Sequence, residues 1–377
     1  MKLIIYGDIG GSGGYVRYCK GLLGSNSIPA DVEVWFISSL PFYEQLTPLD
    51  PQIHIITHPW LISKNRLNRY LWYLVKYPLL LRKIKPDVEF YPTGQLRVYL
   101  RKALTVATCH NLLLFDKKEL ERINNEKEYK YFLKYRDNQA ASFLKSNALI
   151  FLSKYSQELV SRQLSAIKQS TIISHGLDSV FLSKEMRSYE FSGTIKLLYV
   201  SPNYHYKHQV EVVKCVQILR NSTGFDIQVN LIGGGKSSYS SELKNYVQKE
   251  KVQSFVFVNE NINYKELLKE YKDADIFIFA SSCETFGITL LEAMGSRLPI
   301  ACSNRTGLSE ILKDAGVYFD PEDPESMADS VRKLIVSIEL RKTLAEKAYQ
   351  YAVDYPWERC ASETFQYIKK IGAINEK

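Results

Sequence analysis

Residues Ser281 to Gly295 read SSCETFGITLLEAMG, and the run before them, Ile276–Ala280, is a short apolar strand. A strand, a glycine-bearing turn and a helix in succession make half of a βαβ unit. Glu284 stands just ahead of the helix and Glu292 inside it, eight residues on. At 1.5 Å per residue the two carboxylates are at most about 12 Å apart. That span suits two ends of one elongated ligand better than an acid/base pair on one bond. Between them the backbone N–H groups of Phe286, Gly287 and Ile288 open the helix, a place that favours anions. Gly287 also lets a ligand approach the backbone closely. Because the helix dipole alone favours acids near a helix start, the stretch has to be weighed with its surroundings.

Outward from it the pattern is regular. Further strands are expected at Lys196–Val200, Ile227–Ile232, Phe255–Asn259, Leu298–Ala301 and Val317–Phe319, with helical periodicity between them. Strands alternating with helices imply a parallel, doubly wound sheet, and six strands fill one such domain. The first half is rougher but similar, with strands at Leu3–Tyr6, Val32–Phe36, His54–Ile56, Val88–Phe90, Thr105–Thr108, Ala148–Phe151 and Thr171–Ile173. The fold class is therefore α/β, with two Rossmann-like domains at 1–187 and 188–355. The polar stretch SKEMRSYEFS (Ser183–Ser192) sets the boundary, and a closing helix at about 356–377 packs back on the first domain. A cleft between two such domains is a default ligand site.

The bulk numbers agree with a globular protein of two domains. The chain has 377 residues, 45% of them apolar, and a formal charge of +8, which suits acidic partners such as nucleotide phosphates or anionic lipid. Its six cysteines form no C-x-x-C pair, which argues against a zinc site or a disulfide framework and fits a reducing cytosol. The opening MKLIIYGD reads as a strand rather than a signal peptide, and no apolar run reaches the 18 or so residues that span a bilayer.

Three phosphate-binding or metal-binding patterns are tested against this frame. Leu231–Ser238, LIGGGKSS, lacks the first glycine of an NTPase loop because position 230 is Asn. Gly7–Leu23, GDIGGSGGYVRYCKGLL, fails the dinucleotide fingerprint at Val16 but remains a glycine-rich strand-to-helix turn. Asp273-Ala274-Asp275 resembles a D-x-D metal motif, yet it precedes a strand, whereas ligands bind beyond strand carboxyl ends. In strand order 3-2-1-4-5-6, Lys207 of VSPNYHYKHQVEVV lies across the switch crevice from Glu284, where a cation can neutralise a diphosphate. A carboxylate, an anion site and a second carboxylate then fit the sugar, diphosphate and ribose of a nucleotide sugar.

With those residues in hand, ETFGITLLEAM, ADIFIFASS before it and PIACSNRTGLSEIL after it resemble the retaining glycosyltransferases of family 4, which have the GT-B fold. YVSPNYHYKHQ, LIGGG, VYFDPEDPESMADSVRKLI and YPWERCASETFQYI extend the likeness in order from about Lys196 to Ile371. GGYVRYCKGL, TCHNLLLFD, ALIFLSKYSQELV and IISHGLDSVF carry it more thinly through the first half. The resemblance implies catalytic roles for His110, Glu284 and Lys207. It implies donor binding by Gly14, Ile262, Phe286, Gly287, Ile288, Thr289 and Glu292. Glu284 and His110 would meet the transferred sugar, Glu292 the ribose, and Ile262 the base. Lys207 and the N–H groups at Gly14 and Gly287–Ile288 would hold the diphosphate. It also implies retention at the anomeric carbon, with the leaving diphosphate helping to deprotonate the acceptor and with no metal or cofactor required. Three positions depart from the pattern: Ser201 where an arginine is common, Arg297 where glycine is usual at a left-handed helix cap, and VNEN, which lacks a glycine.

The remaining features are smaller. His205 and His208 read as loop histidines pointing opposite ways in an extended segment, and His175 as structural. His58–Pro86 holds seven Lys or Arg between Pro59 and Pro86 and no Asp or Glu, with Trp60 and Trp72. It either lies on an anionic membrane surface or packs Leu74, Leu79 and Leu81 on the sheet with its lysines in water. The expectation is a cytoplasmic, membrane-peripheral enzyme moving a hexose (mannose, glucose, galactose, GlcNAc or rhamnose among them). The acceptor is a saccharide, lipid-linked (polyprenyl-linked), in bacterial surface polysaccharide, O-antigen or lipopolysaccharide synthesis, and no nucleic acid is involved. A GT-B epimerase acting on a UDP-sugar and a non-catalytic nucleotide-binding module are the rivals.

Overall fold

Short apolar runs buried on both faces are what parallel strands require, and among the described residues thirteen of them form two sheets. In the computed structural model, which describes residues 1–7, 14–24, 28–63, 65–96, 103–235, 237–260 and 262–376, the first sheet holds β1 Lys2–Tyr6, β2 Glu33–Ser38, β3 His54–Thr57, β4 Val88–Tyr91, β5 Leu104–Thr108, β6 Ala148–Phe151 and β7 Ser170–Ile172. The second holds β8 Ile195–Val200, β9 Ile227–Ile232, β10 Val256–Asn259, β11 Ile276–Phe279, β12 Ile300–Ser303 and β13 Val317–Phe319. Their orders are β3-β2-β1-β4-β5-β6-β7 and β10-β9-β8-β11-β12-β13. The strands of each are parallel, as in Tyr6 opposite Ile37 and Ile276 opposite Leu197. Both sheets therefore wind in opposite directions from a switch point, between β1 and β4 and between β8 and β11.

Each strand lies where the apolar pattern places it, with one shift. The run expected at Leu298–Ala301 pairs as Ile300–Ser303 because the preceding helix, Ile288–Gly295, first closes through a full turn. Arg297 N–H donates to Met294 O (3.1 Å) and Leu298 N–H to Ala293 O (3.1 Å), the paired bonds of a Schellman cap. Arg297 takes the left-handed position with φ 55°, where glycine is usual. Its side chain supplies what glycine would not: an ion pair with Glu346, a bond to Ser183 O (3.2 Å) and a ring contact 3.5 Å from the Tyr349 centroid. The departure at Arg297 thus leaves the helix end intact.

The chain divides into two compact units. Unit 1 contains Met1–Phe115, Leu133–Gly176 and Pro356–Lys377, and unit 2 contains Asp116–Phe132 and Leu177–Tyr355. The division falls upstream of the polar stretch Ser183–Ser192, which lies in unit 2. In unit 1 the helix Trp357–Gly372 buries Cys360, Ala361, Phe365, Ile368 and Ile371 against Leu3, Ile5, Val88 and Phe90. All six cysteines are buried and none is in a disulfide.

Candidate functional site

In unit 2 the switch point brings two loops together. β8 runs on into a 3-10 turn at His205–Lys207, and β11 runs on into Ser281–Gly287. Because β8 and β11 are neighbours, these loops meet: Ser282 N–H donates to Tyr206 O (2.8 Å). Tyr199, inside β8, donates its hydroxyl to Lys207 O (2.8 Å) and fixes the turn. Lys207 is buried, its ammonium 5.0 Å from the Tyr206 ring centroid, and it is hydrogen-bonded to Glu284. The two side chains are 7% and 15% exposed, so the ion pair is largely out of water. The structure brings Lys207 and Glu284 into direct contact, a closer arrangement than opposite walls of a crevice.

His208 corrects the reading of the histidines. It is buried, adopts φ 53° at the start of the helix Gln209–Thr223, and places Nε2 2.8 Å from Ser282 Oγ and Nδ1 3.7 Å from Glu211. The left-handed backbone at His208, reached straight from a 3-10 turn, makes the segment a tight corner rather than an extended one. His208 therefore holds the 205–208 corner to the loop that carries Glu284. His205 faces elsewhere, with Nδ1 4.0 Å from Glu242.

The helix after Glu284 is open at its start. Its N-cap is Gly287, at φ 93° and ψ 62°, and no side chain caps it. A Cβ there would lie 2.9 Å from Leu308 Cδ2 and 3.2 Å from Phe279 Cε1, so the position requires glycine by space and by conformation. Phe286 is buried, with Tyr355 edge-on to its ring, while Ile288 and Thr289 remain partly exposed beside Glu284. Uncapped N–H groups and the positive helix end together favour an anion here. Glu292, one to two turns on, is almost wholly buried and accepts a hydrogen bond from the Tyr271 hydroxyl (2.9 Å).

The glycines of LIGGG serve packing. A Cβ on Gly233 would strike Ser201 O at 2.2 Å, and one on Gly234 would sit 3.0 Å from Glu260 O. Without side chains, the loops after β8, β9 and β10 knit together through Asn203 N–H to Gly234 O (3.2 Å) and Gly233 N–H to Asn259 O (2.9 Å). Lys236 of that loop lies outside the described residues. Ile262 sits partly buried in the loop between β10 and the helix Tyr264–Asp273. Asn261 of VNEN, the position just before it, is also outside the described residues.

In unit 1, Gly14 is the first residue of the helix Gly14–Leu23, and the glycine turn at 8–13 lies outside the described residues. His110 follows β5 and sits in an aromatic cage. His175 stacks on it at 5.2 Å, and Tyr18 meets it edge-on at 4.6 Å. Burial pushes the His110 imidazole down to about 3, so it is neutral across the physiological range. Burial, and next the repulsion that a protonated His110 would exert, push His175 the same way. Trp357 closes the cage 5.8 Å from His175.

The D-x-D pair is used structurally. Asp273 pairs with Lys269 (2.5 Å), and Asp275 accepts the Lys196 N–H (2.8 Å) at the amino edge of β11. Among the described residues no group of His, Cys, Asp and Glu is arranged to hold a metal ion.

Sequence reading missed Tyr271 and His208, whose partners are distant along the chain, and it missed Glu119. Glu119 is buried within unit 2, and burial raises its carboxyl above the usual range against the lowering pull of Arg122 and Ser282. Arg122 links it (3.0 Å) to Glu322, which also binds Lys118 (2.5 Å). Only the capping signal Asp116-x-x-Glu119 ahead of an apolar residue hinted at order in this segment.

Residues 183–351 match the family model described as glycosyl transferases group 1. Among curated proteins the chain is similar to O-antigen chain mannosyltransferase B of Escherichia coli, 31% identical over 99 residues, which is 26% of this chain and 26% of that protein. The alignment thus spans about a quarter of that relative's length. Among solved structures it is similar to WaaG, a glycosyltransferase involved in lipopolysaccharide biosynthesis, with a TM-score of 0.72, 16% identity and coverage of 98% of this chain and 99% of the other. It is also similar to Anabaena Alr3699/HepE in complex with UDP-glucose, with a TM-score of 0.71, 14% identity and coverage of 98% and 100%. At these identities the structures establish the fold, which is GT-B.

Proposed function

We propose that this chain, residues 183–351 of which match the model of group 1 glycosyl transferases, transfers a hexose from a nucleoside diphosphate sugar to a saccharide acceptor with retention of anomeric configuration. The observation that carries this is the meeting of Lys207, Glu284 and the uncapped start of the helix Ile288–Gly295 at one switch point. A buried cation beside a helix start that no side chain caps suits a diphosphate. Glu284 beside it takes the hydroxyls of the transferred sugar, and Glu292, held by Tyr271, takes the ribose. By the family resemblance, Ile262 would read the base, and Gly14 of unit 1 would supply an N–H group to the diphosphate. His110, kept neutral by its cage, contacts the sugar as a hydrogen-bonding group rather than as an acid.

In this reading Lys207 and the helix start stabilise the charge that grows on the leaving diphosphate, the main electrostatic contribution to transfer. The diphosphate accepts the acceptor's proton on the same face, so no protein base and no metal is needed. Two of the three named proteins are an O-antigen chain mannosyltransferase and a glycosyltransferase involved in lipopolysaccharide biosynthesis. That supports a lipid-linked saccharide acceptor at the cytoplasmic face of a bacterial membrane.

A thermal-shift screen against UDP-, GDP- and ADP-sugars tests the donor class, since a ligand bound only to the folded state raises the melting temperature. Glu284→Ala and Glu292→Ala should each remove most transfer while circular dichroism stays unchanged. Near-wild-type turnover in both variants would sink the proposal.

A further inference from the structure

One segment of unit 1 has no part in the chemistry above. Residues 59–86 contain no Asp or Glu. They run as a 3-10 turn Pro59–Leu61, an α-helix Arg66–Leu71, a π-helix Trp72–Lys76 and an α-helix Tyr77–Ile84. Leu61, Trp72, Tyr77 and Ile84 are buried. Trp72 Nε1 donates to the Tyr6 hydroxyl of β1 (3.3 Å) and the Tyr77 hydroxyl to Glu89 of β4 (2.7 Å), so one side of the segment is fastened to the sheet.

The other side is apolar and uncovered. Leu67, Tyr70, Leu74 and Leu79 are 60, 61, 51 and 52% exposed, and Ile62 and Val75 are exposed beside them. Leu74 and Leu79 therefore do not pack on the sheet, as the globular alternative required. The reason is the π-helix. The step from Trp72 to Tyr77 is five residues, and so is the step from Leu74 to Leu79. A π turn absorbs that extra residue, so the inward and outward stripes both stay aligned across it. Lys76, Arg82, Lys83 and Lys85 are also exposed along this segment. Six large exposed hydrophobics within eighteen residues exceed the single scattered ones that a water-facing surface normally shows. No helix among the described residues is long and apolar enough to cross a membrane.

We infer that this face docks on the surface of an anionic phospholipid bilayer, with Leu67, Tyr70, Leu74 and Leu79 in the headgroup–acyl boundary and the four basic side chains on lipid phosphates. Charge complementarity selects this occupant. A second copy of the same face would oppose four like charges without a carboxylate to offset them, and a neutral apolar partner would leave those charges unused. The inference deepens the proposal of a lipid-linked acceptor, and it rests on that reading only for its purpose, since docking needs no turnover.

The full chain is sedimented with phosphatidylcholine vesicles with and without phosphatidylglycerol, at low and high salt. Binding should require phosphatidylglycerol, weaken with salt, and fall about tenfold or more in the Leu67→Ser/Leu74→Ser/Leu79→Ser variant. Arg82→Glu/Lys83→Glu should reduce it while leaving detergent-solubilised acceptor turnover and the melting temperature near wild type. Equal sedimentation with and without phosphatidylglycerol overturns the inference. So does unchanged binding by the leucine variant, or a dimer in analytical ultracentrifugation that the same variant dissolves. Docking without nucleotide-sugar binding would remove the transfer proposal and leave this surface standing.

Discussion

Glu284→Gln separates two consequences of one contact. Lys207 and Glu284 form a largely desolvated ion pair, and a diphosphate that uses Lys207 has to compete for it. The amide keeps the volume of the carboxylate and removes its charge, leaving a buried ammonium without a counter-charge. Stripping one partner from a buried pair costs about 3–5 kcal/mol. With both side chains slightly exposed and the amide oxygen still an acceptor, the loss here should fall at or below the lower end of that range, about 2–3 kcal/mol. A bound nucleoside diphosphate restores the missing counter-charge, so part of that loss returns as affinity, and about 1.4 kcal/mol returned is tenfold tighter binding. Urea denaturation should therefore show a less stable variant, and isothermal titration calorimetry with UDP and GDP should show about tenfold tighter binding of free nucleotide than in wild type. Sugar transfer should fall nonetheless, because the carboxylate that meets the sugar hydroxyls is gone. Unchanged or weaker nucleotide binding in Glu284→Gln would refute the competition, and unchanged binding in Lys207→Ala would remove Lys207 from the phosphate site.

Two further outcomes follow from the geometry of Gly287 and His110. Gly287→Ala forces a left-handed backbone and a Cβ 2.9 Å from Leu308 Cδ2, so stability should fall by roughly 1–3 kcal/mol and the donor KM should rise; a urea midpoint within error of wild type would contradict the geometry. His110 stays neutral in the fold down to about pH 3, whereas the unfolded chain protonates it below about 6.5. The unfolded state then binds the extra proton, so stability should be complete above pH 7 and fall toward acid, by roughly 2 kcal/mol from His110 at pH 5. His110→Asn should flatten that slope relative to wild type in urea titrations at pH 7.5 and 5, and parallel slopes would show that burial does not perturb this group.

Much of the fold is legible because parallel strands buried on both faces leave continuous short apolar runs bounded by polar turns, as Ala148–Phe151 and Ile276–Phe279 do. The order β10-β9-β8-β11-β12-β13 follows from right-handed crossovers and the doubly wound habit. Glu284, Gly287 and Glu292 are legible because one strand, turn and helix carries them all. What stayed hidden depends on partners far apart in the chain. Nothing local to Tyr271 shows that it donates to Glu292, and nothing local to His208 shows that it bonds Ser282. The π-helix at Trp72–Lys76 was hidden for a different reason: one extra residue in a run of aromatic and aliphatic side chains leaves the apolar pattern readable in more than one phase. That ambiguity alone decides whether Leu74 and Leu79 face the sheet or the outside.

The helix Trp357–Gly372 has a bearing on how the protein is made. Its apolar face completes the same core as Leu3 and Ile5, which leave the ribosome well before it, while the strands of unit 2, Ile195 to Phe319, are all synthesised between them. Leu3 and Ile5 thus wait for residues more than 350 positions downstream. Until Phe365, Ile368 and Ile371 emerge, unit 1 carries an uncovered apolar surface on a nascent chain, whereas the stretch Leu177–Tyr355 of unit 2 is already complete. Unit 1, though its first strands are encoded ahead of those of unit 2, closes after them.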